Sequence, residues 1–174
     1  MSNANNPHGL RPLGISLSGG PAFIDKLSKI ATYATAIFMY DAINRVADGS
    51  IEASATPGTT AYSGVSLDYG KASSATDHLV VISPDAIYET QNDDGTTGLV
   101  AADMGLNANL ILGAGSATTK LSGHQIDQST AQTTNTLDVH LLGLLNVPDN
   151  AFGAYARIEV VFNKHRMSPA TAGV

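Results

Sequence analysis

The stretch that decides the fold is Ile43-Asn44-Arg45-Val46-Ala47-Asp48-Gly49-Ser50-Ile51-Glu52-Ala53-Ser54-Ala55. Two short apolar runs flank an Asp48-Gly49 step. Glycine reaches positive φ without steric cost, and aspartate caps its own turn, so the step reads as a β-hairpin. Working outward, the same kind of signal recurs. Thr32 to Tyr40 is rich in β-branched and aromatic residues and predicts a strand. Ala61 to Tyr69 predicts another, with Tyr62, Val65 and Leu67 as its larger apolar members. His78 to Ser83 is a continuous apolar run, the pattern of a strand buried on both faces, and Pro84-Asp85 breaks it. Ala86 to Gln91 resumes the strand pattern and Asn92-Asp93-Asp94-Gly95 turns the chain. Leu137 to Leu145 is a further strand, followed by a turn at Val147-Pro148-Asp149-Asn150. In Ala156 to Asn163, Ile158, Val160 and Phe162 alternate with Arg157, Glu159 and Val161.

Between these lies Gly113 to Thr136, rich in Gly, Ser, Thr and Gln. It reads as a long loop with one short strand near Leu121 to Asp127. Helical spacing is scarce. Phe23, Leu27 and Ile30 fall at i, i+4 and i+7, and Pro21 suits a first turn, so a short helix is expected over Ala22 to Ala31. A single helical turn is expected over Ala101 to Leu106. No fixed repeat is present. Several short strands separated by turns predict an all-β fold, a small β-barrel or sandwich with little helix. A small barrel also hides its edges.

The first thirty residues stand apart. Pro7, Pro12 and Pro21 interrupt any regular period and push the residues before them to extended geometry. Yet Leu10, Leu13, Ile15, Leu17, Phe23 and Ile24 are too apolar for a solvated tail. The organisation expected is therefore an extended N-terminal arm over 1–30, a β body over 31–167 and a small-residue tail over 168–174. Such an arm needs a support, and a neighbouring subunit would supply one. The alternative is that the arm packs on its own barrel.

The chain has 174 residues, 43% of them hydrophobic and 14% charged. That is one domain's worth of core under a surface made polar by Ser, Thr, Asn and Gly, with charge below the usual quarter. A weakly charged surface suits a packed assembly. Net charge is −6, unevenly spread. Arg11, Lys26 and Lys29 outnumber Asp25 by two in residues 1–30, and Arg157, Lys164 and Arg166 outnumber Glu159 by two after residue 155, leaving an acidic middle. An acidic body repels phosphates, and no basic stripe interleaves with aromatics, so no nucleic-acid partner is expected. There is no cysteine, which excludes disulfides and thiolate metal sites. No long apolar run and no charged-then-apolar leader is seen, so no membrane partner is expected, and the chain should stay in the cytoplasm where it is made unless it leaves in a particle.

The motifs that carry chemistry fail one by one. Leu110-Ile111-Leu112-Gly113-Ala114-Gly115 resembles a strand entering a dinucleotide turn. The third small residue is replaced by Thr118, and Lys120 to Gly123 opens no helix. Gly64-Val65-Ser66-Leu67-Asp68 lacks the final glycine of a nucleophile elbow. His8, His78, His124, His140 and His165 show no short spacing that puts two imidazoles on one metal. Asp138 and His140 share a strand face, and His124 and Asp127 can pair across a turn, but each pair lacks further ligands. Asn92 to Gly95 lacks a calcium loop's alternating carboxylates. No enzymatic activity, cofactor or metal is therefore expected.

The whole chain nonetheless resembles a known family. Asn5-Asn6-Pro7-His8-Gly9-Leu10-Arg11-Pro12-Leu13 is similar to the opening of tailed-bacteriophage capsid cement, or head decoration, proteins. So are Pro84-Asp85-Ala86-Ile87-Tyr88-Glu89-Thr90-Gln91, Gly105 to Leu110, Gly113 to Ser116, Leu142 to Asn150 and the closing strand Ala156 to His165. The resemblance implies a structural virion protein on the outer capsid surface. It would be a homo-oligomer, a trimer rather than a dimer, with an arm reaching over the major capsid protein. It implies capsid contacts at Pro7, His8, Leu10, Arg11, Pro12 and Leu13, with the Arg11 fork holding a carboxylate bidentately. The rival expectations are a tail or head–tail connector protein, which would show long helices, and a carbohydrate-binding β-domain on the virion surface, which would show exposed aromatics.

Overall fold

The computed structural model describes residues 3–93, 98–168, 170 and 173. Eleven strands and one 3-10 turn make up its regular structure. They are β1 (Arg11–Ser16), β2 (Ile24–Lys29), β3 (Ala42–Arg45), β4 (Ile51–Ala53), β5 (Gly64–Ser66), β6 (Thr76–Val81) and β7 (Ala86–Gln91). After a 3-10 turn at Ala101–Asp103 come β8 (Asn107–Ile111), β9 (Gln125–Gln132), β10 (Val139–Leu144) and β11 (Arg157–Phe162). The fold is all-β, as the periodicity predicts. One sheet has the order β1-β7-β11-β10-β8-β9 and the other β2-β6-β5-β3-β4. Every strand pair is antiparallel.

The Asp48-Gly49 hairpin forms as expected. Val46 N–H donates to Ser50 O, the Asp48 carboxylate accepts from Ser50, and Gly49 takes φ +86°. Adjacent residues on β6 and on β3 then point to opposite faces. Val81 and Ala42, with Val65, enter the main core between the sheets. Val80 and Ile43 enter a second cluster with Leu27, Ile37 and Ile51. The five-stranded sheet is thus buried on both faces at its centre, as the apolar run implies, although Leu79 stays about half exposed. The sheet curls until β2 reaches β4. The six-stranded sheet curls likewise, and Asp93 N–H at the end of β7 donates to Ile126 O on β9. Tyr62 stacks on Phe162 with ring centres 4.8 Å apart, and Tyr88 tilts against the same ring at 5.3 Å. These three buried rings form the heaviest part of the main core.

Four expectations change. Residues 22–31 form no helix: Ile24–Lys29 is a strand paired residue for residue with β6. Ten residues of helical spacing are too short to hold a helix alone, and a full ladder of hydrogen bonds outweighs them. The N-terminal thirty residues are no free arm either. They supply one edge strand to each sheet, which is the alternative in which the segment packs on its own body. Thr32 to Tyr40 is irregular, and its ladder contacts, Ile37–Gly70 and Met39–Leu121, are isolated bridges. The long loop with a short strand expected near Leu121 to Asp127 instead carries β9, the longest strand, of eight residues, which starts at Gln125. Its polar sequence hides it, since Ile126 is its only large apolar member. Of the Asn92-to-Gly95 turn, Asp94 and Gly95 lie outside the described residues, as do Pro169, Thr171, Ala172 and Val174 of the tail.

Candidate functional site

The two basic ends of the sequence meet at one acidic side chain. Glu89 lies on β7 between β1 and β11, opposite Arg11 on one side and Glu159 on the other. Its carboxylate is fully buried. Oε2 accepts from Arg11, and Oε1 accepts from Arg157 through both Nη2 and Nε, the latter at 2.8 Å. His8 Nε2 stands 3.2 Å from Oε1. Burial pushes the Glu89 carboxyl up, but bonds to His8, Arg157 and Arg11 outweigh it and hold the pKa at about 2. The group is therefore an ionised buried carboxylate at any working pH.

This cluster floors a groove of about 680 Å³. One wall is the segment before β1. Asn3 Nδ2 donates to Ala151 O and Ala154 O, Asn6 N–H donates to Gln91 Oε1, and Gln91 Nε2 donates to Ala4 O. The other wall is the turn between β10 and β11, where Asn150 bonds the Leu145 and Arg157 backbones. Tyr40, Asp149 and Tyr155 all line the groove and all have positive φ, at 72°, 60° and 57°. Such non-glycine backbone persists only where surroundings over-determine it.

The expected contact residues divide between surface and interior. Arg11 keeps 46% of its side chain exposed despite its bond to Glu89. His8, Pro7, Pro12 and Leu13 are half-buried. Leu10 is fully buried in the main core, with its N–H donating to Tyr40 O. It is removed from the set able to touch a partner. Gly9 enforces this seating, because a Cβ there would stand 2.4 Å from Ser122 Cβ.

A second feature was invisible in the sequence. The described residues include nine exposed large hydrophobics, and five of them, Ile15, Leu17, Phe23, Ile24 and Ile30, fall in β1, β2 and their flanks. Phe23 is 76% exposed. Met167 joins Phe23, Pro21 and Pro84 around a shallow groove on the same side. The hydrophobic residues were legible; their exposure needed the strand pairing.

Ser66, the failed elbow serine, does meet a histidine: Ser66 Oγ lies 2.8 Å from His78 Nδ1. Both side chains are fully buried and neither lines a groove, so the pair is a core polar contact, and the Ser66 hydroxyl also donates to Asp68 O. The His124–Asp127 pairing that the sequence allows does not form. His124 instead faces Asp41 at 3.4 Å, and Asp127 bonds Ser129. His124 Nδ1 accepts from Ala42 N–H. Burial lifts Asp41 to about 6 and lowers His124 to about 4. Asp138 and His140 also separate. Asp138 is buried and accepts from Gly58 and Leu110 N–H, while His140 Nδ1 bonds Asn107. Among the described residues no group of three or more acidic or histidine side chains is arranged to hold a metal.

No protein-family model matches the chain, no curated protein is similar to it, and no solved structure matches its fold.

Proposed function

We propose that this is a structural virion protein that seats its N-terminal edge on the outer surface of an assembled bacteriophage capsid, as a cement or decoration protein. The observation that carries the reading is the concentration of exposed apolar side chains on β1, β2 and the link between them. Soluble monomers rarely leave large apolar patches together, and edge strands are where other chains add. The net charge of −6 also suits a protein that stays away from packaged nucleic acid, while the basic groups toward the two ends of the chain suit contact with acidic surfaces of other subunits. Binding the finished lattice but not free coat subunits stabilises the lattice by mass action, and repetition over symmetry-related sites multiplies the effect. The major capsid protein is the partner, and the protein's own copies meet around each lattice site, as a trimer.

The test is co-sedimentation with expanded empty heads. Because β1 belongs to the sheet, truncating the N-terminus would unfold the body. Surface changes serve instead: Phe23→Asp with Leu17→Asp should abolish head binding while the melting temperature stays within a few degrees. Full occupancy by the double variant, or absence of the protein from purified virions, defeats the reading. A few copies per particle would point to a tail or connector part.

A further inference from the structure

We infer that the groove above Glu89 is a binding site for a single carboxylate group, held by the free edges of Arg11 and Arg157. It gives the carboxylate contact expected of Arg11 a formed pocket with a second fork, and it stands on different residues from the apolar edge.

Glu89 engages one side of each guanidinium. Arg157 gives it Nε and one Nη, and Arg11 gives it one Nη. A guanidinium carries five N–H donors in a fixed fork. With 46% of Arg11 and 34% of Arg157 side chains exposed, the remaining donors open on the groove. Glu89 thus acts as a buried counter-ion that sets the orientation of both forks before any ligand arrives. Preorganised donors lower the cost of binding. The cavity is of the size that takes small ligands or one side chain. Three of its amides, Asn3, Gln91 and Asn150, are spent on the walls, so the forks are the main donors left to the ligand.

Charge selects the class of ligand. Arg11 and Arg157 are balanced by Glu89 and Asp149 among the lining residues, with His8 beside them. There is no net field for a polyanion such as a phosphate chain. What remains is local geometry, and planar forks match a planar carboxylate in two parallel bonds. Tyr40 and Tyr155 flank the site and suit a ligand whose body is neutral. Two sources carry that chemistry: a sugar acid, or an Asp or Glu side chain on a neighbouring protein.

The test is calorimetric titration of the full-length protein with glucuronate, with an N-acetylated glutamate amide, with glucose and with inorganic phosphate. Saturable binding of glucuronate or of the glutamate amide, but not of glucose, is expected in the ~10 mM range or tighter. Preference for one of the two names the source. Arg11→Gln should weaken binding at least tenfold. Asp149→Asn keeps a residue that tolerates positive φ and removes the opposing charge, so it should tighten binding severalfold. The site is overturned if neither carboxylate binds, if phosphate binds as well as the carboxylates, or if both variants leave the affinity unchanged. Head binding by the Phe23 and Leu17 double variant is independent of all these outcomes, so the two readings fail separately.

Discussion

Two edge strands of this molecule are built in opposite ways. β9 closes the six-stranded sheet with Gln125, Asp127, Gln128, Ser129 and Gln132, and polar side chains guard its open side. β2 closes the five-stranded sheet beside Phe23, Ile24 and Ile30, whose large apolar side chains stand exposed next to Asp25, Lys26 and Ser28. Exposed β edges recruit other chains, and proteins that must stay single arm them with charge and polarity. The contrast therefore separates a protected edge from an inviting one. Backbone adds to the difference: β2 is paired residue for residue on its inner side, whereas the β9 ladder is broken between Asp127 and Gln132 and the end of β7 bonds its Ile126.

The contrast can be broken most strongly at Glu89, which ties β1 to β11. Glu89→Ala leaves two guanidiniums without their counter-ion and should cost about 3–5 kcal/mol in denaturant unfolding, near the penalty for breaking a buried pair. A loss under about 1 kcal/mol would mean that the N-terminal edge is held by packing alone. Leu10→Ala comes next, at about 2–4 kcal/mol, because the side chain is fully buried and its removal leaves a cavity. A surface-like cost there would return Leu10 to the contact set. For partner binding, Phe23→Asp alone should lower head affinity by about 2 kcal/mol, the scale of an interface anchor, whereas Gln132→Glu at the exposed end of β9 should change neither binding nor melting. Equal effects at the two positions would erase the distinction between the edges.

The smallest expected effect is with pH. Burial holds His78, His124, His140 and His165 below their ordinary pKa. Each takes up a proton more readily when unfolded, so their share of stability is complete above about pH 6.5 and declines below it. Glu89, held at about 2, adds a loss from the ordinary carboxylate range near 4.5 downward. Asp41, lifted to about 6, opposes this, since the folded chain binds its proton first and gains stability as pH falls from 6 toward 4. Asp138, raised by burial, acts in the same sense. The histidines outnumber them. Urea midpoints should fall from pH 7 to pH 4, and a rise over that interval would show that the buried aspartates dominate.

How far the chain could be read beforehand depended on the kind of signal. The Asp48-Gly49 hairpin, β7 and β11 were legible because apolar alternation and turn residues act within a few positions. Arg11 was visible as a polar group in an apolar segment, but not its partner. Glu89 lies 78 residues away, and Arg157 a further 68. No local pattern encodes a clamp assembled by strand order. β2 was misread because Phe23, Leu27 and Ile30 satisfy helical spacing, and only β6 beside it tips the balance. β9 was legible only at its start, as a short strand near Leu121 to Asp127, because the rest of an edge strand with one buried apolar side chain has no hydrophobic period to show.

The amino-acid order by itself determined the all-β class, the positions of most turns and the gathering of basic residues at both ends, since each is set by short-range conformational preference and composition. Only the tertiary structure decided that those ends converge on one buried carboxylate. It alone also showed that Leu10 is interior while Phe23 is exposed. Burial and ion pairing depend on which strands become neighbours, and that is settled by long-range packing.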